Sequence, residues 1–303
     1  MRSLPVFILS RLLSVVAVVL AVAVITFLTL HLLRPEAWSF DHRSLPAQLW
    51  DYLTHLVRYD LGRSWDSQGH PVTEFLNQGL PADLSLLAGG LVFGTIAGMA
   101  GGAVCAIRPA RWYTRILEGA AAFFLCAPVY WVGLMLILTF GADFGLLPIP
   151  GFVINQYEGL SQNPARWLQA LIVPWIVLGL PLAALCLRMT RAAMTDVLDE
   201  DYLRTALAKG LRERTVARRH AMPAASSPVL TLVGVNMATL VTNVVLIEHA
   251  FSIPGVFRFT TKAMDDGNFP LLQGMTLAAA VMVVGANLIV DIIHAVIDPT
   301  IRT

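Results

Sequence analysis

Charge is scarce in this sequence: Asp, Glu, Lys and Arg make up only 14% of its 303 residues, and just two of the 21 basic residues are lysines. With a net charge of +1 there is no basic excess of the kind that grips a nucleic-acid backbone, so nucleic acid is excluded as a partner. Cysteine is scarce too. Cys105, Cys126 and Cys186 each sit in an apolar stretch, with no CxxC or mixed Cys/His cluster, and read as small packing residues rather than metal ligands. Catalytic motifs are missing as well. Neither lysine completes a GxxxxGK[ST] phosphate loop, because Lys209 follows Ala208 and Lys262 follows Thr261. The seven histidines form no HExxH pair, and Ser161, after Gly159 and Leu160, lacks the second glycine of a nucleophile elbow. The residues thus supply no catalytic and no metal-binding assignment.

What is abundant is apolar sequence: 56% of the residues are hydrophobic and the mean hydropathy is +0.68. A helix crossing a bilayer needs about 20 mainly apolar residues, since every backbone group must be bonded internally over about 30 Å. Six segments qualify, at 12–33, 84–107, 119–141, 167–187, 228–250 and 273–297, and they define an all-α integral membrane protein with six transmembrane helices. The first follows Arg2 and Arg11 and has no small-residue cleavage site before Arg34, so it is expected to stay as a signal anchor. Residues 1–83 form this anchor with an outer loop, and 84–303 form the transmembrane core.

Placing both termini in the cytoplasm puts 14 basic residues inside and 7 outside, with 11 acids in the outer loops against six in the inner ones. That asymmetry fixes the expected orientation. Gly90, Gly94, Gly98 and Gly102 recur every fourth residue in the second span, stripping one helical face for close packing. In the outer loop, Leu45, Leu49, Leu53 and Leu56 form a helix-spaced stripe, fit either to lie on the membrane surface or to cover the bundle.

The inner segment 188–227 carries the most information. Asp199, Glu200 and Asp201 open a helical stretch, Tyr202, Leu203, Ala206 and Leu207 form its apolar face, and Lys209 with Gly210 closes it. A second helical stretch runs from Glu213 towards Pro223. From pattern alone, a short capped helix between two spans is suited either to being gripped by another protein or to being a solvated basic loop that only fixes topology.

This stretch, DYLRTALAKGLRERTVARRHAMP, resembles the cytoplasmic signature of binding-protein-dependent ABC permeases, whose pattern is Glu-Ala-Ala-x3-Gly-x9-Ile-x-Leu-Pro. Arg204, Thr205, Ala206, Gly210, His220, Met222 and Pro223 hold those places here. The departures at Arg204, Thr205 and His220 are those common in the oligopeptide and dipeptide permease branch. DLGRSWDSQGHPVTEFLNQGLPADLSLL is similar to the outer segment of its B-type, first permease subunit. IEHAFSIPGVFRFTTKAMDDGNFPLLQGMTL resembles the Glu-x-x-Phe-Ser-x-Pro-Gly region, and NLIVDIIHAVIDPTIR the closing Asp-Pro pattern, with Thr300 in place of an Arg.

The resemblance implies a type I importer permease fold in a bacterial inner membrane, with a second permease subunit, two ATP-binding subunits or domains and an extracytoplasmic substrate-binding protein as partners. ATP and Mg would be bound by those ATPase partners, leaving this chain without a cofactor. It also implies that Tyr202, Arg204, Thr205, Ala206, Lys209, Gly210 and Leu211 meet the ATPase as a coupling helix. Dipeptides, oligopeptides, nickel complexes and glutathione are all possible passengers.

Asn236, Thr239, Thr242 and Asn243 in the fifth span are spaced to share part of a helical face and are candidates for lining the pathway. Glu248 and Asp291 would be the ion sites of a secondary transporter, the competing class; the simpler expectation places each near a span end, paired within the bundle or reaching interfacial water.

Overall fold

The computed structural model describes residues 4–33, 35, 42–141, 157–201 and 213–297. The main helices are α1 (Leu4–Leu33), α2 (Leu45–Val57), α3 (Val72–Ile107), α4 (Trp112–Cys126), α5 (Val129–Phe140), α6 (Pro164–Leu198), α7 (Met222–Phe251), α8 (Val256–Asp265) and α9 (Phe269–Ile297). Five are long and apolar enough to span a membrane, or six if the α4–α5 pair is one span.

The helices overrun the predicted spans because a helix does not stop where its apolar run does. α3 begins at Val72, well before residue 84, and carries Pro81 internally. α6 starts at Pro164, where Asn163 accepts a hydrogen bond from the Arg166 N–H at 3.2 Å and the proline occupies the first turn, which has no donor to lose. The predicted span at 228–250 is preceded by Glu213–Val216, a π-helical turn Ala217–Ala221 and the first turn of α7, where Pro223 is tolerated for the same reason. The predicted span at 119–141 is not one straight helix. Pro128 disfavours helical backbone at Ala127, which is extended, and α4 and α5 meet there at 112°.

The chain forms two compact units, Met1–Leu84 with Ile253–Thr303, and Ser85–Ser252. In the first, α1 lies along α9, and Arg11 pairs with Asp291 at 3.2 Å. The segment after α2 is a built loop: Arg63 bridges Pro71, Gly62 and Gly69 take positive φ, and buried Asn268 ties it down by donating to Ser64 Oγ at 2.7 Å and accepting from the Trp65 N–H at 3.1 Å.

Inside that loop Asp66 and His70 meet at 2.7 Å. Their hydrogen bond raises the imidazole above its ordinary 6.5 and lowers the carboxyl below its ordinary 3.8. The histidine's contribution is complete below 6.5 and is lost as pH rises through its raised value, while the carboxylate's is complete above 3.8 and is lost as pH falls through its lowered value. Protection of the 62–70 amides, taken relative to their intrinsic exchange rates, is therefore expected to be greatest between those two ordinary values, and His70→Asn should flatten that profile. A profile unchanged by that substitution would refute the pairing.

α8 is held by its N-terminus. Asp83 of α3 is wholly buried and accepts from the Val256 N–H at 2.9 Å, placing a carboxylate at the positive end of α8. Gly79, one turn earlier, makes room: a Cβ there would lie 2.9 Å from Val256 N. Asp83→Ala is expected to lower stability by about 1–3 kcal/mol, the range for a lost buried partner, read as an earlier melting transition in detergent, with Asp83→Asn retaining part of the loss.

In the second unit α6 is packed by α4, α5 and α7, and the glycine face of α3 lies against it. A Cβ at Gly94 would sit 2.8 Å from Gly179 O, at Gly98 2.5 Å from Ala183 O, and at Gly102 2.5 Å from Leu187 O. The stripe is thus a seam where backbone meets backbone. Of the cysteines, Cys105 and Cys186 are buried in this packing, whereas Cys126, at the α4–α5 break, is exposed.

Candidate functional site

Two places carry or flank the residues singled out in the sequence, and both lie in the second unit. The first is the C-terminal end of α6. Leu198 ends the helix and Asp199 caps it. The predicted coupling residues Tyr202, Arg204, Thr205, Ala206, Lys209, Gly210 and Leu211 lie outside the described residues. Their flanks are described and are firmly packed. Met194 of α6, Val216, Ala217 and Ala221 of the lead-in to α7, and Ala225 of α7 are all buried in one cluster. Ala103, Ala106 and Ile107 of α3 and Val197, Leu198 and Met222 pack around it. Small side chains let the helices approach closely here, so both ends of the segment are mounted on one core. The π-helical turn sits within this mount, where an added residue re-aims the chain that follows. Arg191 of α6 also pairs with Glu118 of α4, a tie that joins α4 to the same helix end.

The second place is a cleft of about 290 Å³, partly open to solvent, between α6 and α7. Asn236, Thr239 and Asn243 line it from α7; Leu178, Pro181, Leu182 and Leu185 face them from α6. Thr242 does not join them. It lies about a third of a turn round from Asn236, is exposed, and donates to Ala238 O at 3.1 Å. Asn236 donates to Leu232 O at 2.9 Å, which leaves its amide oxygen as a neutral acceptor on the cleft side of the helix. The α6 wall escaped the sequence reading because it is apolar. Its one legible mark is Pro181, which removes a helical N–H within the span.

A larger space of about 520 Å³ between α3, α4 and α6 is lined wholly by apolar and small residues, among them Phe93, Gly98, Leu117, Phe124 and Leu187. It offers no polar group to orient a solute. The acids do not line the cleft either. Glu248 is completely buried near the end of α7, and Asp291 is engaged by Arg11. Phe251 packs on Gly133 and Ser252 ends α7 in the left-handed conformation, φ 56°, so the Glu-x-x-Phe-Ser segment is a buried helix terminus.

Five or six helices able to cross a bilayer, with a cleft between α6 and α7 that bears Asn236, Thr239 and Asn243, suit a transport component. Residues 90–303 match the family described as binding-protein-dependent transport system inner membrane component, and the chain belongs to that family. It is a multi-pass inner-membrane permease subunit of an ABC importer. It is similar over nearly its whole length to the dipeptide transport system permease protein DppB of Haemophilus influenzae, with 31% identity covering 98% of this chain and 99% of that one. The Escherichia coli dipeptide permease protein DppB and the glutathione transport system permease protein GsiC of Salmonella typhimurium are each 31% identical to it, with 98% of both chains covered.

Proposed function

We propose that this chain forms half of a translocation pathway for di- or oligopeptides, together with a second permease subunit. Two ATP-binding subunits or domains on its cytoplasmic side supply ATP and Mg, and an extracytoplasmic protein delivers the substrate. Both termini face the cytoplasm. The observation that carries this reading is end-to-end relatedness to dipeptide permeases. The cleft supports it: Asn236, Thr239 and Asn243 present neutral donors and acceptors that suit peptide groups whatever the side chains attached to them. Tyr202 to Leu211 would pass the motion of the ATPase to α6 and α7, biasing the bundle between inward-open and outward-open packings.

The test is uptake of a labelled dipeptide by proteoliposomes holding the complete assembly. Uptake is expected only with ATP on the coupling-segment side and the binding protein on the other. Uptake driven by an ion gradient without ATP would overturn the importer reading in favour of secondary transport through Glu248 and Asp291. ATP-dependent uptake of labelled glutathione with no uptake of the labelled dipeptide would replace the peptide substrate while leaving the importer intact.

A further inference from the structure

α2 has more apolar surface than the described residues cover. Around its axis the residues fall into three sectors. Leu49, Tyr52, Leu53 and Leu56 face the first unit and are half-buried. Gln48, Asp51 and His55 form a polar sector, where Asp51 pairs with Arg43 at 3.3 Å and Gln48 donates to Arg43 O at 2.9 Å. Between these lies a flank that no other described residue covers: Pro46, Trp50, 72% exposed, and Val57, 86% exposed. Trp50 and Val57 are seven positions apart, close to two full turns, so they share one side. A helix on water would make this flank polar.

The depth of α2 says what covers it. Tyr52 stacks on Phe27 of α1 with ring centroids 5.6 Å apart, and burial pushes its phenol up to about 12. Phe27 precedes the end of the apolar run Ile8–Leu33 by six residues, or about 9 Å along the helix. That is the depth at which an interfacial helix buries its apolar side, about 5–10 Å into the boundary between headgroups and acyl chains. The flank is also continuous with lipid-facing surface, since Ile25, Leu32 and Leu33 on the same end of α1 are exposed. Tryptophan is the residue favoured at such a boundary, with a ring that is apolar and an N–H that can meet water.

We propose that α2 lies in the membrane–water interface at the far end of α1, with Pro46, Trp50 and Val57 against lipid, the Leu49/Leu53/Leu56 side on the protein and the Gln48/Asp51/His55 side in water. The helix would then clamp the end of α1 at a fixed depth. This rests on the chain being a membrane protein and not on what it transports, so a failed peptide-uptake assay leaves it standing.

Spin labels placed singly at 48, 50, 55 and 57, with Cys126→Ala to remove the exposed native thiol, test it in the complete transporter held in lipid nanodiscs. Oxygen concentrates in the bilayer and a nickel chelate stays in water. The ratio of oxygen to nickel collisions is expected to be several-fold higher at 50 and 57 than at 48 and 55. Equal nickel access at all four sites would place the flank in open water and overturn the proposal. Exclusion of both reagents at 50 and 57 would show a protein partner on the flank and overturn it equally. Trp50→Phe provides a second reading that needs no label: the fluorescence lost on substitution should be the fraction quenched by lipids brominated high on the acyl chain, and an unquenched fraction counts against insertion.

Discussion

Gly98→Leu is expected to leave almost no folded permease in the membrane. A Cβ at this position would stand 2.5 Å from Ala183 O and from Cys186 Cβ, and 3.0 Å from Ala183 Cα. Two of these three atoms are backbone, so no rotamer change relieves the clash and α3 must move off α6. That movement would open the seam at Gly94 and Gly102, where carbonyls of α6 are equally near. Overpacking by one or a few methylenes commonly costs about 1–3 kcal/mol. Gly98→Ala should lie in that range, and the three further carbons of leucine should exceed it. Gly119→Ala is the matched control, because a Cβ there meets nothing within 4 Å. Yield of monodisperse protein and melting temperature in detergent would be compared, and a Gly98→Leu protein with the yield and melting temperature of the parent would refute the seam.

That seam shows what sequence reveals about such a fold and what it withholds. Four glycines at four-residue spacing announce a close approach, since the only physical use of a bare helical face is contact. The partner surface on α6, built from Gly179, Ala183 and Cys186, carries no comparable signature among its leucines. Membrane spans are legible because the bilayer demands length and apolarity together. Direction is not part of that demand, so hydropathy passes over the 112° break between α4 and α5. Pro128 was its readable mark. Helix extensions such as 72–83 are invisible to the same measure, because outside the membrane a helix has no need to be apolar. For Asp291 the sequence leaves pairing and interfacial water open, and only the fold brings it to Arg11 from the other end of the chain. In the cleft, Asn236, Thr239 and Asn243 stand together while Thr242 lies off their face, because a span rich in small polar residues offers more than one polar face.

Gly210→Val is expected to abolish peptide uptake while ATP hydrolysis by the assembled complex continues. Gly210 lies outside the described residues, but the helix ends that flank its segment are described. The chain leaves α6 at a capped end and returns through Val216, Ala217 and Ala221, which with Met194 and Ala225 form one buried cluster. A displacement imposed on residues 202–212 is therefore delivered to α6 and α7 together, the two helices whose facing surfaces form the polar cleft. Glycine after Lys209 either permits a left-handed turn at the helix end or lets another surface approach closely. Valine forbids the first and obstructs the second, because its branched Cβ is strained at positive φ and bulky at any contact. Membrane insertion and melting temperature are expected to match the parent. A variant with these properties that still took up dipeptide at the parental rate per ATP hydrolysed would remove Gly210 from the coupling path, whereas one that failed to insert would instead place Gly210 in the folding core.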